Sequence, residues 1–205
     1  MILAAAALGC IVFIPGLNTA EKSTGLTVHR GMGFMEIVGE MERGGAVKNR
    51  WQTILAGRII PGFHNIRPGR YTIPPGMSNF SLLLYLRTHP QDEVRITIPE
   101  GLEQREIARL FASKLDMDSS AFMTAARARD FLDRNGIKGR SAEGYLFPGT
   151  YHFAWADTPE DAAEFLVRQF RSFYNDSLKA VAASKGLSET ALLTLASIVE
   201  AETPL

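Results

Sequence analysis

The sequence predicts an α+β fold, with short strands and helices alternating in the first half and helices dominating the second half. Two observations lead to this prediction. An apolar strand, a glycine turn and an amphipathic helix follow one another three times in the first 115 residues. After Asp157, helix-start signals and apolar residues at helical spacing predict one long helix over 158–184 and a second helix that begins after Ser188.

The repeated strand–turn–helix unit is visible in three segments, Leu26–Met32, Tyr71–Met77 and Ile96–Leu102. Each has the pattern apolar-Thr-(Val/Ile)-x-x-Gly-(Met/Leu), and an aliphatic residue follows after four more positions. The glycine can take a positive φ, which suits a tight turn between a strand and a helix. Three units this short could also be similar by chance. The helices predicted from the repeat are Gly33–Arg43, Ser78–Arg87 and Glu103–Leu115.

The first two copies enclose another predicted helix, Asn49–Gly57, so residues 26–73 have the order β-α-α-β. This is the layout of the LysM module, a small fold that binds glycans rich in N-acetylglucosamine, and the Gly-(Met/Leu)-x4-Ile turn adds to the resemblance. We therefore assign residues 26–90 to a LysM-like subdomain. Residues 94–140 form a further strand–helix region, which includes a predicted helix Ser119–Arg129.

The N-terminal segment Met1–Ile14 is uncharged and apolar. It is shorter than the roughly 20 residues that a membrane-spanning helix needs, and it lacks the basic residues that precede the core of a signal peptide. A buried helix is one interpretation. We favour a membrane anchor or signal remnant over residues 1–16, because the segment is apolar on every side and polar residues 18–24 follow it.

Composition excludes several classes of protein. The chain has 22 Lys and Arg residues against 22 Asp and Glu residues, so no excess of positive charge indicates a nucleic-acid partner. Cys10 is the only cysteine, which rules out an intrachain disulfide and cysteine-rich zinc sites. The four histidines lack the spacing of metal ligands. We expect no nucleic-acid partner, no metal and no cofactor.

An aromatic stretch lies between Ser141 and Trp155. Its five aromatic residues all have odd numbers and would share one face of a strand; they are Tyr145, Phe147, Tyr151, Phe153 and Trp155. Gly144, Pro148 and Gly149 interrupt the stretch and favour an extended loop. The loop could be a hydrophobic strap beneath a helix or an aromatic wall for sugars. Aromatic residues are more often part of a core, so composition alone favours the strap.

The last helix is predicted to begin at its N-cap, Ser188, and to be buried, because it is apolar almost all round. Glu200 stands near its end. Apolar neighbours would raise the pKa of this carboxyl, as in general acids that work near neutral pH. Ser197 lies one turn earlier and could hydrogen-bond the carboxyl or a substrate. Alternatively, Glu200 is a helix-end acid that reaches solvent or an arginine.

Glu202 is not a catalytic partner for Glu200 on this helix. Residues two positions apart on a helix point in directions that differ by about 200°. The carboxylates of Glu200 and Glu202 therefore cannot face one substrate. The two-carboxylate arrangement of most glycosidases is therefore not met locally.

Three segments together resemble the MltG/YceG-like family of endolytic murein transglycosylases; they are Asn65–Met77, Glu143–Tyr151 (EGYLFPGTY) and Leu195–Thr203 (LASIVEAET). The resemblance implies a lysozyme-like catalytic domain, of which residues 141–205 would be the N-terminal part. It also implies a single-pass protein of the bacterial cytoplasmic membrane with its catalytic part outside the cytoplasm. The substrate would be peptidoglycan glycan strands, and peptidoglycan synthases are candidate partners.

The resemblance also implies the chemistry. The family cuts the β-1,4 bond from N-acetylmuramic acid to N-acetylglucosamine, and the muramic acid 6-hydroxyl closes a 1,6-anhydro ring. The family's catalytic glutamate maps onto Glu200, which would act first as an acid and then as a base. Glu143, Tyr145 and Tyr151 fall in the family's other signature, and with Ser197 they are the candidate substrate-binding residues.

Family chains continue well beyond this glutamate, whereas this sequence stops five residues after it. We therefore expect an incomplete catalytic domain, and a polypeptide of these residues alone to lack strong lytic activity. Two alternative functions are a non-catalytic glycan-binding module or scaffold of the cell-wall synthesis machinery, and a lysozyme-like hydrolase.

Overall fold

A computed structural model describes residues 9, 12–59, 62 and 65–202. Most of the predicted anchor Met1–Ile14 lies outside the described residues, as do Cys10, His64 and the last three residues. The chain divides into two compact units. Unit 1 comprises residues 1–93 and 154–156, and unit 2 comprises residues 94–153 and 157–205.

The predicted α+β class is confirmed, since short strands alternate with helices. None of the described helices is both long and apolar enough to cross a membrane.

Unit 1 has the predicted order β-α-α-β followed by a third helix. Its elements are β1 (Thr24–Val28), α1 (Phe34–Arg43), α2 (Arg50–Ile59), β2 (Gly69–Ile73) and α3 (Asn79–Thr88). The two strands pair antiparallel, with Leu26 opposite Tyr71. These two side chains belong to the buried core, which also takes in Ile37 and Met41 of α1. The closer likeness to LysM modules stays a prediction.

A buried polar cluster ties the residues before β1 to the helices of unit 1. The Asn18 amide donates to the Thr53 hydroxyl at 3.0 Å and to the Asn79 side-chain oxygen at 3.1 Å. Its own side-chain oxygen accepts from the Asn49 backbone at 2.7 Å. Because Asn18, Thr53 and Asn79 are all buried, these hydrogen bonds replace those that water would make.

Unit 2 is mostly helical. Its elements are β3 (Glu93–Ile98), α4 (Gln104–Lys114), α5 (Ser119–Ala125), α6 (Arg129–Arg134), β4 (Gly149–Ala154), α7 (Pro159–Phe173), α8 (Asp176–Ser184) and α9 (Glu189–Glu202). Strands β3 and β4 form a two-stranded sheet. The core is centred on Phe111, whose ring makes edge contacts with Phe122 at 5.2 Å and with Phe153 at 4.9 Å.

The three predicted strand–turn–helix copies are confirmed. Strands β1, β2 and β3 each lead through a turn into helices α1, α3 and α4. The turn glycine has a positive φ in every copy, +83° at Gly31, +73° at Gly76 and +77° at Gly101. This conformation is unfavourable for residues with a Cβ atom, which explains why each copy places glycine there.

Three predicted segments differ from the structure. The predicted helix Ser119–Arg129 ends early, at Ala125, and α6 begins only at Arg129, because the carbonyl of Ala126 accepts from the Ala142 backbone at 2.9 Å instead of continuing a helix. The single helix 158–184 is divided at Asn175, whose side chain accepts from the Leu178 backbone and starts α8. The predicted extended loop forms a strand over its last part, β4.

Two glycine-to-alanine changes in unit 1 test the turn conformation. A Cβ atom would meet nothing within 4 Å at Gly76 or at Gly39. Gly76→Ala should lower the free energy of unfolding by about 1–2 kcal/mol, because alanine is strained at this positive φ. Gly39→Ala, inside α1, should raise it by about 0.5–1 kcal/mol. Denaturant unfolding measures both changes, and equal effects of the two substitutions would contradict the assigned conformations.

Candidate active-site cleft

Unit 2 contains an open cleft of about 930 Å³. Three segments line it: the β3–α4 turn from Pro99 to Glu103, the loop from Glu143 to Pro148, and one face of α9. The turn belongs to the third strand–turn–helix copy, and the loop is the first part of the aromatic stretch. The repeat and the aromatic stretch, which are far apart in sequence, therefore meet at one site.

The α9 wall follows from helical periodicity. The cleft is lined by Thr190, Leu193, Thr194, Ser197 and Glu200. Their spacing of three and four residues places them on one face of the helix, and this wall is polar except for Leu193. Ser197 and Glu200 share this face, as predicted. Glu202 is not among the residues that line the cleft, in agreement with its angular separation from Glu200.

The prediction that α9 is buried is wrong. Leu195, Ile198 and Val199 are 48%, 55% and 54% exposed. Of the apolar residues of α9, Leu192 and Leu193 pack against the core of unit 2 and are only partly buried. The apolar sequence of α9 is typical of a buried helix. Among the described residues, however, no element covers its other apolar side chains.

Glu200 is therefore an exposed acid on the cleft wall. The apolar enclosure on which its expected general-acid character was based is absent from the described part of unit 2. Within that part, the carboxylate has neither a hydrogen-bond donor nor an ion-pair partner, so the alternative of a helix-end acid reaching solvent describes its surroundings. The Ser197 hydroxyl donates to the Thr194 carbonyl at 2.9 Å rather than to this carboxylate.

Glu143 lies at the N-terminus of α4. Both of its carboxylate oxygens lie 3.1 Å from the backbone nitrogen of Gln104, the first residue of that helix, which donates to them. The positive end of the helix dipole favours a carboxylate in this place. Glu143 therefore joins the loop to α4 as well as lining the cleft.

Four carboxylates line the cleft, from Glu100, Glu103, Glu143 and Glu200, and no lysine, arginine or histidine of the described residues does so. Sequence reasoning missed Glu100 and Glu103. Their signal was present in the third repeat, where Pro-Glu-Gly-Leu-Glu occupies the turn that the other copies fill without acids. This acidic wall disfavours a polyanionic ligand.

Tyr145 is buried and belongs to a cluster that fixes the start of α9. Burial raises the pKa of the Tyr145 hydroxyl above its ordinary value of 10.0, and a hydrogen bond to the Glu189 carboxylate raises it further. Arg171 of α7 donates to Glu189 at 2.6 Å and to the Asn135 carbonyl at 2.9 Å. The Arg171 guanidinium also lies 5.4 Å from the centre of the Tyr145 ring. This group, Tyr145, Arg171 and Glu189, is called the α9 clamp below.

Tyr151 is the one candidate residue that does not line the cleft. Its hydroxyl donates to the Pro148 carbonyl at 2.9 Å, and its ring contacts Phe153 and Phe165 edge-on. A Cβ atom on Gly149 would lie 2.7 Å from the Tyr151 hydroxyl oxygen, so glycine is needed there. Tyr151 thus supports the loop from the side away from the cleft. Its surroundings fit the earlier interpretation of the aromatic stretch as a hydrophobic strap beneath a helix.

The described residues hold no group of three or more histidine, cysteine, aspartate or glutamate side chains placed to bind a metal ion. Two of the cleft carboxylates instead have a local role at the N-terminus of α4. Glu103 caps α4 together with Glu106, and Glu143 accepts from the same helix end.

Removing the clamp arginine should destabilise unit 2. Arg171→Met retains the aliphatic stem but loses the hydrogen bonds to Glu189 and Asn135, so we expect a loss of about 1.5–3 kcal/mol in unfolding free energy. Arg168→Met is the matched control on the same helix, since Arg168 is exposed and lies 3.8 Å from Glu164. It should change stability by less than about 0.5 kcal/mol. Denaturant unfolding measures both, and equal losses would refute the role of the clamp.

The raised pKa of Tyr145 predicts a loss of stability in alkali. Above pH 10 the unfolded chain releases the Tyr145 proton before the folded chain does, so the free energy of unfolding falls as pH rises towards the folded-state pKa. Tyr145→Phe removes this contribution and should make the decline shallower. Unfolding curves recorded across this pH range test the prediction, and an unchanged slope in the variant would contradict it.

Comparison with known proteins places the chain in a family. The profile of the YceG-like family matches residues 26–205. A Streptococcus pneumoniae protein named endolytic murein transglycosylase is 26% identical over 212 residues, which cover 89% of this chain and 38% of the relative. A Bacillus subtilis protein of the same name is 27% identical over 158 residues, covering 69% of this chain and 43% of the relative. The chain thus spans less than half the length of these curated relatives.

A solved structure agrees with this placement at the level of the fold. The crystal structure of a YceG-like protein from Listeria monocytogenes superposes with a TM-score of 0.50 at 17% identity. The match covers 91% of this chain and 66% of that chain. Since the family profile matches most of the sequence, from the first strand through α9, the chain belongs to the YceG-like family.

Proposed function

We propose that the protein containing this chain is a peptidoglycan transglycosylase that cuts within glycan strands. The observation that carries the proposal is the position of Glu200. It corresponds to the catalytic glutamate implied by the family resemblance, and it lines an open cleft large enough to admit sugar units. The names of the Streptococcus and Bacillus relatives support the same activity.

The bond proposed to break is the β-1,4 link from N-acetylmuramic acid to N-acetylglucosamine. Protonated Glu200 donates its proton to the glycosidic oxygen as the bond to the muramic acid anomeric carbon breaks. The resulting carboxylate then takes the proton of the muramic acid 6-hydroxyl, whose oxygen bonds to the same carbon. The products are a free 4-hydroxyl and a 1,6-anhydro end, no water is added, and Glu200 is returned to its protonated form.

The other candidate residues have supporting roles in this proposal. Ser197 is one helical turn from Glu200 on the same wall, so its hydroxyl oxygen can accept a hydrogen bond from a sugar. Glu143 and Tyr145 shape the facing loop, and Glu143 offers carboxylate oxygens to sugar hydroxyls. Tyr151 acts indirectly by holding the turn at Pro148 and Gly149.

Bound glycan would also change the surroundings of Glu200. The carboxyl is exposed without substrate, whereas a sugar chain in the cleft would displace water from the wall of α9. In this proposal the substrate supplies part of the enclosure that the described residues lack.

We propose further that Met1–Ile14 anchors the protein in the bacterial cytoplasmic membrane, with the cleft outside the cytoplasm. The support is the uncharged, apolar sequence of that segment, together with a substrate that belongs to the cell wall.

Two glutamates of α9 provide a matched test of the catalytic assignment. Glu200→Gln should lower the rate of anhydro-muropeptide formation by about 10²–10⁴-fold, because the amide can neither donate nor accept the proton. Glu202→Gln changes the same residue type two positions away, off the cleft, and should retain activity. The measurement is mass spectrometry of products from purified glycan strands treated with the full-length protein. Full activity in Glu200→Gln would refute the assignment.

A lysozyme-like hydrolase is the second candidate, and one observation favours it. Glu100, Glu103 and Glu143 bring three further carboxylates to the cleft, so a second acid could activate water. The products distinguish the two reactions, since hydrolysis adds one water and leaves a reducing end. The proposed transglycosylase should instead give products without added water.

A further inference from the structure

The outer face of α2 in unit 1 is apolar where a solvent-facing helix is normally polar. Trp51, Leu55 and Ile59 are 60%, 37% and 43% exposed. At about 100° per residue, these three side chains fall within an arc of about 80° on the side opposite the buried Thr53 and Gly57. They form a continuous stripe, called the α2 stripe below.

Two exposed arginines lie beside the α2 stripe. From Arg43 to Gln91 the sequence has seven Lys and Arg residues and no acidic ones, but three of the seven, Arg43, Lys48 and Arg50, pair with glutamates outside this stretch. Arg58 is exposed beside the stripe, and no acid in the described part of the chain pairs with it. The Arg87 guanidinium lies next to Gly62, just beyond the end of α2, where a Cβ atom would be 3.2 Å from it. An apolar stripe beside unpaired arginines is complementary to a surface that is both apolar and negatively charged.

The described end of the apolar N-terminal segment packs beside the same helix. Val12 is buried in a small cluster with Ala56 of α2 and Leu83 of α3. Phe13, the next residue, is exposed, and its ring contacts Phe80 at 5.4 Å. The described end of the most apolar segment in the sequence is therefore next to α2.

We propose that α2 docks unit 1 onto an anionic lipid bilayer. Trp51, Leu55 and Ile59 enter the interface between headgroups and acyl chains, and Arg58 and Arg87 bind lipid phosphates. Tryptophan with aliphatic residues on one helix face and arginine at its border is the composition of interfacial helices. Basic residues near an anionic membrane add attraction that salt screens.

Tryptophan fluorescence reports this docking directly, because the two tryptophans differ in exposure. Trp155 is buried and Trp51 is mostly exposed. In a polypeptide of these 205 residues that carries Trp155→Phe, all tryptophan emission comes from Trp51. On adding phosphatidylglycerol-containing vesicles, we expect its emission to shift to shorter wavelength and to be quenched by lipids brominated in the upper acyl chain. Pure phosphatidylcholine vesicles or high salt should weaken both effects.

A matched pair of variants separates docking by α2 from tethering by the N-terminal segment. In the Trp155→Phe background, Leu55→Glu should lose most of the shift and quenching, even when the protein still floats with the vesicles. Leu178→Glu is the control, since Leu178 is 39% exposed on α8 of unit 2, and it should keep the full shift. Circular dichroism confirms that each variant folds.

A second readout leaves Trp155 unchanged. The vesicle-induced shift of the unaltered protein should disappear in Trp51→Phe. Three outcomes would overturn the proposal: no change of Trp51 emission in protein that floats with anionic vesicles, an equal shift in Leu55→Glu, or a shift with purified peptidoglycan sacculi and none with vesicles. The last outcome would identify α2 as a glycan-binding surface instead.

Discussion

The ion pair between Arg171 and Glu189 holds the first turn of α9, and the position of the proposed catalytic glutamate depends on it. The two side chains meet at 2.6 Å, and both are less than one-third exposed. Beyond Leu193, the described part of α9 is exposed. Glu200 is eleven residues from Glu189, which is about 16 Å along a helix, so a small tilt at the clamp would displace its carboxyl strongly. The contact between Arg171 of α7 and Glu189 thus helps to determine where Glu200 lies on the cleft wall.

Local sequence signals predicted the elements that build this site. The glycine turns at residues 31, 76 and 101 were predictable because few other residues accept a positive φ. The cap at Thr158 and the cap at Ser188 were predictable for the same kind of reason, since each supplies a side-chain oxygen to a free backbone nitrogen. The shared face of Ser197 and Glu200 followed from helical periodicity alone.

Features that depend on distant partners were not predictable in the same way. An apolar helix pattern indicates that burial is favourable but does not say what lies on the helix, and α9 is largely exposed. The early end of α5 before Ala126 depends on Ala142, sixteen positions away. Glu100 and Glu103 line the cleft only because the third repeat packs beside the aromatic stretch, and the sequence of neither segment indicates this contact. Tyr151 does not line the cleft, because its hydroxyl donates to the Pro148 carbonyl of the loop that it supports.

The two units differ in surface chemistry, with an acidic cleft in unit 2 and an apolar stripe bordered by arginines in unit 1. The proposed function requires a glycan strand to bind in the cleft against Glu200. A crystal structure of the Glu200→Gln protein with an uncleaved glycan strand tests this requirement. The predicted result is a glycosidic oxygen within about 2.6–3.2 Å of the residue 200 side-chain amide. A glycan bound elsewhere, or bound in the cleft with residue 200 out of reach of any glycosidic oxygen, would contradict it.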